Sequence, residues 1–394
     1  MELLRPVRSV RRATTQSDLA DERRMNRACG PGPKWYRRIR VDQFVLRSGA
    51  LLGVVLAGLG GVGVTRAHAA MDFSWSQVKQ FVPFAEFDSV GMSASGRIMA
   101  AADSCALWVS TNSGRAWTQR LSVHGPPVDC GYADNSMHWN VGISRSGQHM
   151  AVAGNHGMWT STDRGKSWSL VENSRYYVWT GLAVSGDGST IVGATCEDRN
   201  RRVMISTDFG KSWDESDPNS GGIVTPYFAD SCYGLPAVSD DGKVVMVVLS
   251  YGLNEGAAGL FRSTDSGATW NLVATPTPPN AVFAMGGDGR TVLMPAWTPS
   301  ADWGLVISSD TGLSWNDVSA PLLNNGHIWN FHITANGRYV TAAVDDGYVG
   351  SIDGGFTWKP LMDQFNAWDI AVSGNGQVAL GATTHSGLWV GRSK

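Results

Sequence analysis

The sequence predicts an all-β fold: a seven-bladed β-propeller of four-stranded antiparallel blades, closed by an N-terminal strand that completes the last blade. Three observations predict it. An eight-residue figure, Ser161-Thr-Asp-Arg-Gly-Lys-Ser-Trp168, recurs at 110–117, 206–213, 263–270, 308–315 and 351–358, at spacings of 43 to 57 residues. A period of that length marks a repeat architecture. A second figure, a small residue followed by x-x-Gly, occurs seven times, at 93–96, 144–147, 185–188, 239–242, 286–289, 334–337 and 373–376. The seventh unit stops at Lys394, short of a fourth strand, while Phe73-Ser-Trp-Ser-Gln-Val78 closely matches Lys166-Ser-Trp-Ser-Leu-Val171. A strand borrowed from the N-terminus would tie the chain ends together and remove two open sheet edges.

Taken in order, the chain begins with a basic stretch. Residues 1–48 hold twelve Lys/Arg against five Asp/Glu, and residues 49–64 are an apolar run rich in Gly, Ala, Val and Leu, followed by Ala67-His-Ala69. Basic, apolar and small-x-small segments in that order predict an export leader over 1–69. The run is short and Gly-rich for a membrane span, so no integral span is expected in the mature form. The leader is long: Met25 is an alternative start, and residues 1–34 as a separate targeting piece are the other reading. Arg37-Arg38 resembles a twin-arginine leader, with Phe44 further from the pair than that pattern has it. The expected location is secreted or periplasmic, or the thylakoid lumen in a phototroph. Cleavage after Ala69 leaves 325 residues, about 46 per blade.

The body, 70–394, carries nineteen Lys/Arg against twenty-nine Asp/Glu, a net of −10. Neutralising phosphates needs a basic surface, so nucleic acid is not an expected partner. Within each unit, apolar strands alternate with Gly turns: strand, x-x-Gly turn, strand, variable loop, strand, eight-residue box, strand. In the box, Asp163, Asp208, Asp265, Asp310 and Asp353, and Asn112 in the first copy, are expected to accept backbone N–H groups within the turn. Gly supplies the backbone angle, and Trp packs between sheets. Six copies on six blades do not converge on one centre, so these are structural residues.

The chain resembles the Asp-box (bacterial neuraminidase repeat) propellers over 73–394. This group includes sialidases, xyloglucan-cleaving glycoside hydrolases, sortilin-type receptors and photosystem II assembly factors of the Ycf48 type. The resemblance implies the propeller fold and leaves activity open. The Arg-Ile-Pro motif of the sialidases is missing, and Arg97, Arg290 and Arg338 directly follow the Gly of the x-x-Gly turn, on the face opposite an expected site. Size and blade count fit the Ycf48-type factors better, although their basic patch has no match here.

The turn and the box share one end of each sheet. The variable loops and interblade links share the other, which is the expected binding face. Aromatics stand five or six residues before six of the seven turns: Phe87, Trp139, Trp179, Tyr233, Trp329 and Trp368. They form either a ring at the channel mouth, suited to stacking on a sugar or gripping a partner, or interblade packing. The loops hold Asp103, His156, Glu197, Asp198, Glu255, Trp297, Asp302, Trp303, Asp345, Asp346 and His385, and the links add Asp134, His138 and His327. Two such carboxylates would serve glycoside cleavage as acid and base; as exposed loop residues they also read as solvated charges. The scattered histidines make no metal motif, and no cofactor is expected.

Cys105 and Cys196 occupy the loops of units one and three, and Cys130 and Cys232 the links that follow. Equivalent positions used twice suggest Cys105–Cys130 and Cys196–Cys232, one of three connectivities, in an oxidising compartment. Four free buried thiols are the alternative in a reducing one. Two functions from different classes follow: a binding or assembly module for a protein or glycan, acting through the loop face, and a sialidase-like glycoside hydrolase or lyase using loop carboxylates.

Overall fold

The structure, a computed structural model, describes residues 71–81, 86–103, 106–122, 139–154, 157–195, 202–219, 231–251, 255–273, 282–298, 301–318, 328–363 and 366–394. At 231–233, 250–251, 255–258, 297–298 and 301–303 it describes the backbone alone. The predicted leader, Cys105, Cys130, Cys196 and His156 lie outside the described residues, as does the side chain of Cys232.

Seven four-stranded antiparallel sheets are arranged as predicted. Six are built from consecutive strands, at 87–122, 140–170, 179–216, 231–273, 284–317 and 328–363; they are numbered blades 1 to 6. Blade 7 takes its three inner strands from Ala367–Val372, Val378–Thr383 and Gly387–Ser393, and its outermost strand from Phe73–Gln77. The register runs from Phe73 opposite Ser393 to Gln77 opposite Trp389. Asp72 O accepts from Lys394 N at 3.0 Å, so the last residue of the chain is tied to the beginning of the propeller. Trp75 stacks on Tyr348 of blade 6, with ring centroids 5.6 Å apart, and its Nε1 donates to Leu361 O at 2.9 Å.

The core lies between neighbouring sheets. The second strand of each blade runs nearly unbroken in apolar residues, as in Met99–Asp103, Met150–Gly154 and Ile191–Thr195. Both faces of these strands are covered by neighbouring blades, so the sequence shows no in–out alternation there. Burial of such side chains contributes about 1.5–3 kcal/mol each.

The boxes behave as structural turns. Asp163 Oδ1 accepts from Ser161 Oγ, Lys166 N and Ser167 N, each at 2.9 Å, and its Oδ2 accepts from Ser167 Oγ at 2.6 Å. The same pattern holds Asp208, Asp265, Asp310 and Asp353. Asn112 keeps one half of it, accepting from Ser110 Oγ at 3.0 Å and Ala116 N at 2.9 Å. Position four of the box is also left-handed in every copy, filled by Ser113, Arg164, Phe209, Ser266, Thr311 and Gly354; for the five non-glycine residues this is an uncommon conformation.

These bonds act on acidity. The backbone and side-chain bonds from Ser212 hold Asp208 down to about 2, and the bonds from Thr269 and Ser314 do the same for Asp265 and Asp310. A carboxyl depressed in the folded state contributes stability that is present above its unfolded value near 4 and is lost as pH falls toward 2. Thermal unfolding from pH 5 to pH 2 is expected to show the melting temperature falling below pH 4. Replacing Asp208 by Asn should flatten part of that fall.

The x-x-Gly turns do more than count blades. Their second residues join neighbouring blades by backbone bonds: Ala94 N to Arg145 O, Arg145 N to Gly186 O, Asp240 N to Gly287 O and Gly374 N to Ala94 O, at 2.8–2.9 Å. Asp187 N to Asp240 O and Asp288 N to Ala335 O extend the chain of bonds to six of the seven junctions among the described residues. Arg145 of blade 2 also pairs with Asp240 of blade 4. A Cβ on Gly186 of the intervening blade would meet Asp240 Oδ1 at 2.0 Å, so glycine is needed for that carboxylate to reach across. Bonded turns thus hold the box end of the channel together.

Candidate functional site

The innermost strands line a central channel of about 250 Å³. Its wall is divided by chemistry. Counting back four residues from the first residue of each turn gives Asn330, Asp369, Ser89 and Asn140 on blades 6, 7, 1 and 2, and Gly181, Leu235 and Val282 on the other three. The polar side is bonded from blade to blade. Asn330 Nδ2 donates to Asp369 Oδ1, Val90 N donates to Asp369 Oδ2, both at 2.8 Å, and Val141 N donates to Ser89 Oγ at 3.3 Å. Desolvation raises the Asp369 carboxyl to about 6, against the bonds from Val90, Ile370, Ser89 and Asn330 that favour its charge. His332, next along this wall, is lowered to about 4 by desolvation. It is half-buried and lines the channel.

The loop face over blades 6, 7 and 1 gathers most of the described candidates. A β-bulge decides which aromatics reach it. In blades 6 and 7 the register slips between Ile328 and Asn330 and between Ala367 and Asp369. The extra residues are Trp329 and Trp368, five before their turns, and a bulged residue is turned away from the regular pleat. The two indoles stack with centroids 5.3 Å apart and planes at 23°; Trp329 is 42% exposed. Blades 1 and 3 have the same slip, with Asp88 and Thr180 as the extra residues; Phe87 and Trp179 stand six before their turns, paired opposite Asp103 and Thr195 just ahead of it, and are buried between blades. Trp139 is five before its turn, but blade 2 has no such slip, and it is buried as well. Tyr233 pairs opposite Leu249 in blade 4, just ahead of a register slip between Tyr233 and Pro236.

A two-residue turn, Asp345-Asp346, joins the middle strands of blade 6, with Val344 opposite Gly347. Gly347 has φ +140°, and a Cβ there would meet Met362 O at 2.0 Å, so this tight connection requires glycine. The turn delivers Asp345 to the aromatic pair, and Asp345 Oδ1 accepts from Trp329 Nε1 at 2.9 Å. In blade 7, Thr383 Oγ1 donates to Gly387 O and accepts from Ser386 N, which shapes the loop carrying His385. His385 Nδ1 lies 3.0 Å from Glu86 Oε1, a bridge from blade 7 to the entry of blade 1. Asp103 is taken up within its own hairpin, accepting from Ala106 N and Trp108 Nε1. The side chains of Glu255, Trp297, Asp302 and Trp303 are not among those described, and Asp134, His138, Glu197, Asp198 and His327 lie outside the described residues. Arg97 and Arg338 donate through Nε to Thr111 O and Ile352 O, at the box end of their blades.

Among the described residues no cluster of His, Cys, Asp and Glu is grouped to hold a metal, and no helix is long and apolar enough to cross a membrane.

No protein-family model and no curated protein sequence matches the chain. Solved structures do match. YCF48 from Cyanidioschyzon merolae is 15% identical with a TM-score of 0.56, over 80% of this chain and 98% of that one. YCF48 bound to D1 peptide is 14% identical with a TM-score of 0.55, over 84% and 99%. The GH74 xyloglucanase from Xanthomonas campestris is 15% identical with a TM-score of 0.55, over 82% of this chain and 54% of the enzyme. At such identities the likeness is one of fold: the chain is a seven-bladed propeller of the kind shared by YCF48 and the GH74 enzymes.

Proposed function

We propose that the protein is an exported binding or assembly module, with residues 1–69 as its leader and 70–394 as the propeller, and that it engages a protein or glycan ligand through the loop face of blades 6, 7 and 1. The observation that carries this reading is the stacked, partly exposed Trp329–Trp368 pair with Asp345 bonded at its edge. Paired indoles offer a flat apolar surface with polar groups at the rim, which suits the CH face of a sugar or an apolar peptide side chain. His385 and Glu86, paired through Nδ1 and Oε1, border the same area. Trp139, Trp179 and Phe87 act in this reading as packing that holds the platform. A neighbour solved as YCF48 bound to D1 peptide makes a peptide ligand the first to try. The cysteine pairs Cys105–Cys130 and Cys196–Cys232 belong to the same proposal, as clamps on two long links.

The glycoside hydrolase reading needs two carboxyls some 5–10 Å apart, roughly, one with its pKa raised. Among the described residues the carboxyl pushed upward is Asp369, and it sits in the channel wall with both oxygens accepting protein donors. Probing carbohydrate and peptide arrays with the protein, beside a panel of chromogenic glycosides, decides between the two. Retention on either array without chromophore release is the expected result. Hydrolysis of any glycoside would replace binding by catalysis, and retention on neither array would remove the proposal.

A further inference from the structure

A second cleft, of about 380 Å³, runs down the flank between blades 7 and 1. It is lined by residues 76–80 of the closing strand and its exit, by Gly114 and Arg115 of the first box, and by Val390 and Arg392 of the C-terminal strand. Three of these side chains are cationic, Lys79, Arg115 and Arg392, while Ser76, Gln77 and Gln80 are bonded to Val390 O, Ser386 O and the Trp117 backbone and form its polar wall. No carboxylate is among the described lining residues. This is unusual on a body whose net charge is −10. Arg392 Nη2 donates to Ser113 O at 2.6 Å, while its Nη1 is buried without a hydrogen-bond partner. Burial, and then the charge of Arg115, press the Arg392 pKa downward. Two guanidinium groups held close together without a counter-charge favour an anion between them.

The sequence carries an independent sign. Of the six boxes, only the one beside this cleft has lost its acid. Asn112 makes the bonds the turn requires, to Ser110 Oγ and Ala116 N, so folding needs the acceptor and not the charge. Position seven is Ala116, where the five other copies have the hydroxyl that binds the second carboxylate oxygen. Elsewhere the cation at position six, Lys166 or Lys211, lies beside an ionised Asp whose Oδ1 accepts its backbone N–H. Arg115 has Asn112 instead. The first box has thus given up a negative charge at the place where the flank collects positive ones.

We propose that the cleft between blades 7 and 1 binds a tetrahedral oxyanion, a phosphate or sulfate group on a small soluble molecule. Arginine forks and an ammonium match the several acceptor oxygens of such a group. The site is separate from the loop-face platform. Its ligand would touch the closing strand, the C-terminal strand and blade 1 together, so binding should fasten the ring and raise its thermal stability.

The test is calorimetric titration and thermal unfolding of the full chain with inorganic phosphate, sulfate, glycerol phosphate and glucose 6-sulfate, against chloride at matched ionic strength. Phosphate or sulfate compounds are expected to bind and to raise the melting temperature where chloride does not, the tighter pair identifying the natural group. Arg115→Gln should abolish binding. Asn112→Asp keeps the turn's acceptor and places a negative charge beside Arg115; it should weaken binding about tenfold while the ligand-free protein melts no lower than the intact one. Arg290→Gln, an exposed arginine on blade 5, should alter nothing. Equal effects of chloride, or oxyanion binding that survives both Arg115→Gln and Asn112→Asp, would overturn the proposal.

Discussion

Deleting residues 70–78 is expected to abolish cooperative folding. The strand Phe73–Gln77 pairs with the C-terminal strand over five residues, brings Phe73 and Trp75 into the packing of blades 6 and 7, and is preceded by the fully buried Met71. Three large apolar side chains at about 1.5–3 kcal/mol each, with strand hydrogen bonds at about 1 kcal/mol each, amount to on the order of 10 kcal/mol. That matches the whole stability of a typical domain, about 5–15 kcal/mol. The deletion also leaves an open edge on blade 7, prone to pairing with a second chain. Circular dichroism melts and size exclusion should show a broad, early transition and self-association. Trp75→Ala, which removes the stack on Tyr348 and the bond to Leu361 O, should lower stability by about 3–5 kcal/mol with folding retained. A deletion variant that melts like the intact protein would contradict closure by this strand.

Single replacements of His332 and Asp369 are expected to expose two opposing pH dependences that cancel in the intact protein. Asp369 is raised to about 6, so its contribution is full below its unfolded value near 4 and declines as pH rises to about 6. His332 is lowered to about 4, so its contribution is full above its unfolded value of about 6.5 and declines as pH falls to about 4. Each contribution is on the order of 3 kcal/mol. His332→Leu should therefore lose stability, relative to the intact protein, as pH rises from 4 to 6. Asp369→Asn should lose it as pH falls from 6.5 to 4. It should also be weaker throughout, because an amide nitrogen facing Val90 N–H leaves a buried donor unpaired, at about 1–3 kcal/mol. Denaturant unfolding of the three proteins between pH 4 and 7 measures this, and parallel profiles would refute it.

The repeat made the architecture legible. Seven x-x-Gly turns set the blade number where six boxes would miscount it, and the Trp-Ser pair at 75–76 identifies the displaced strand. Polar residues four before the turn, at Asn330, Asp369, Ser89 and Asn140, were also in plain view; their significance lies in belonging to consecutive blades around one channel. The recurring aromatics divide between the two readings the sequence offers, with Phe87, Trp139 and Trp179 packed between blades and Trp329 and Trp368 stacked on the loop face. Spacings of five and six residues look alike in the sequence, yet they are opposite phases of a strand, and in blades 6 and 7 a bulge brings the five-residue phase to the surface. Bulges are made by register against the second strand, which no single segment encodes. The Arg145–Asp240 pair, joining blades 95 residues apart, was hidden for the same reason, because it depends on Gly186 of the blade between them.

The loop-face account is tested most directly by comparing three proteins against whichever array ligand the intact chain retains: the intact chain, Trp329→Ala/Trp368→Ala, and Arg97→Gln at the box end. Alanine replacement of the stacked pair is predicted to reduce affinity at least about tenfold, the scale on which buried aromatic contacts act, with melting temperature little changed and Arg97→Gln binding normally. Full affinity in the double variant, or loss confined to Arg97→Gln, would place the ligand away from blades 6, 7 and 1 and contradict the account.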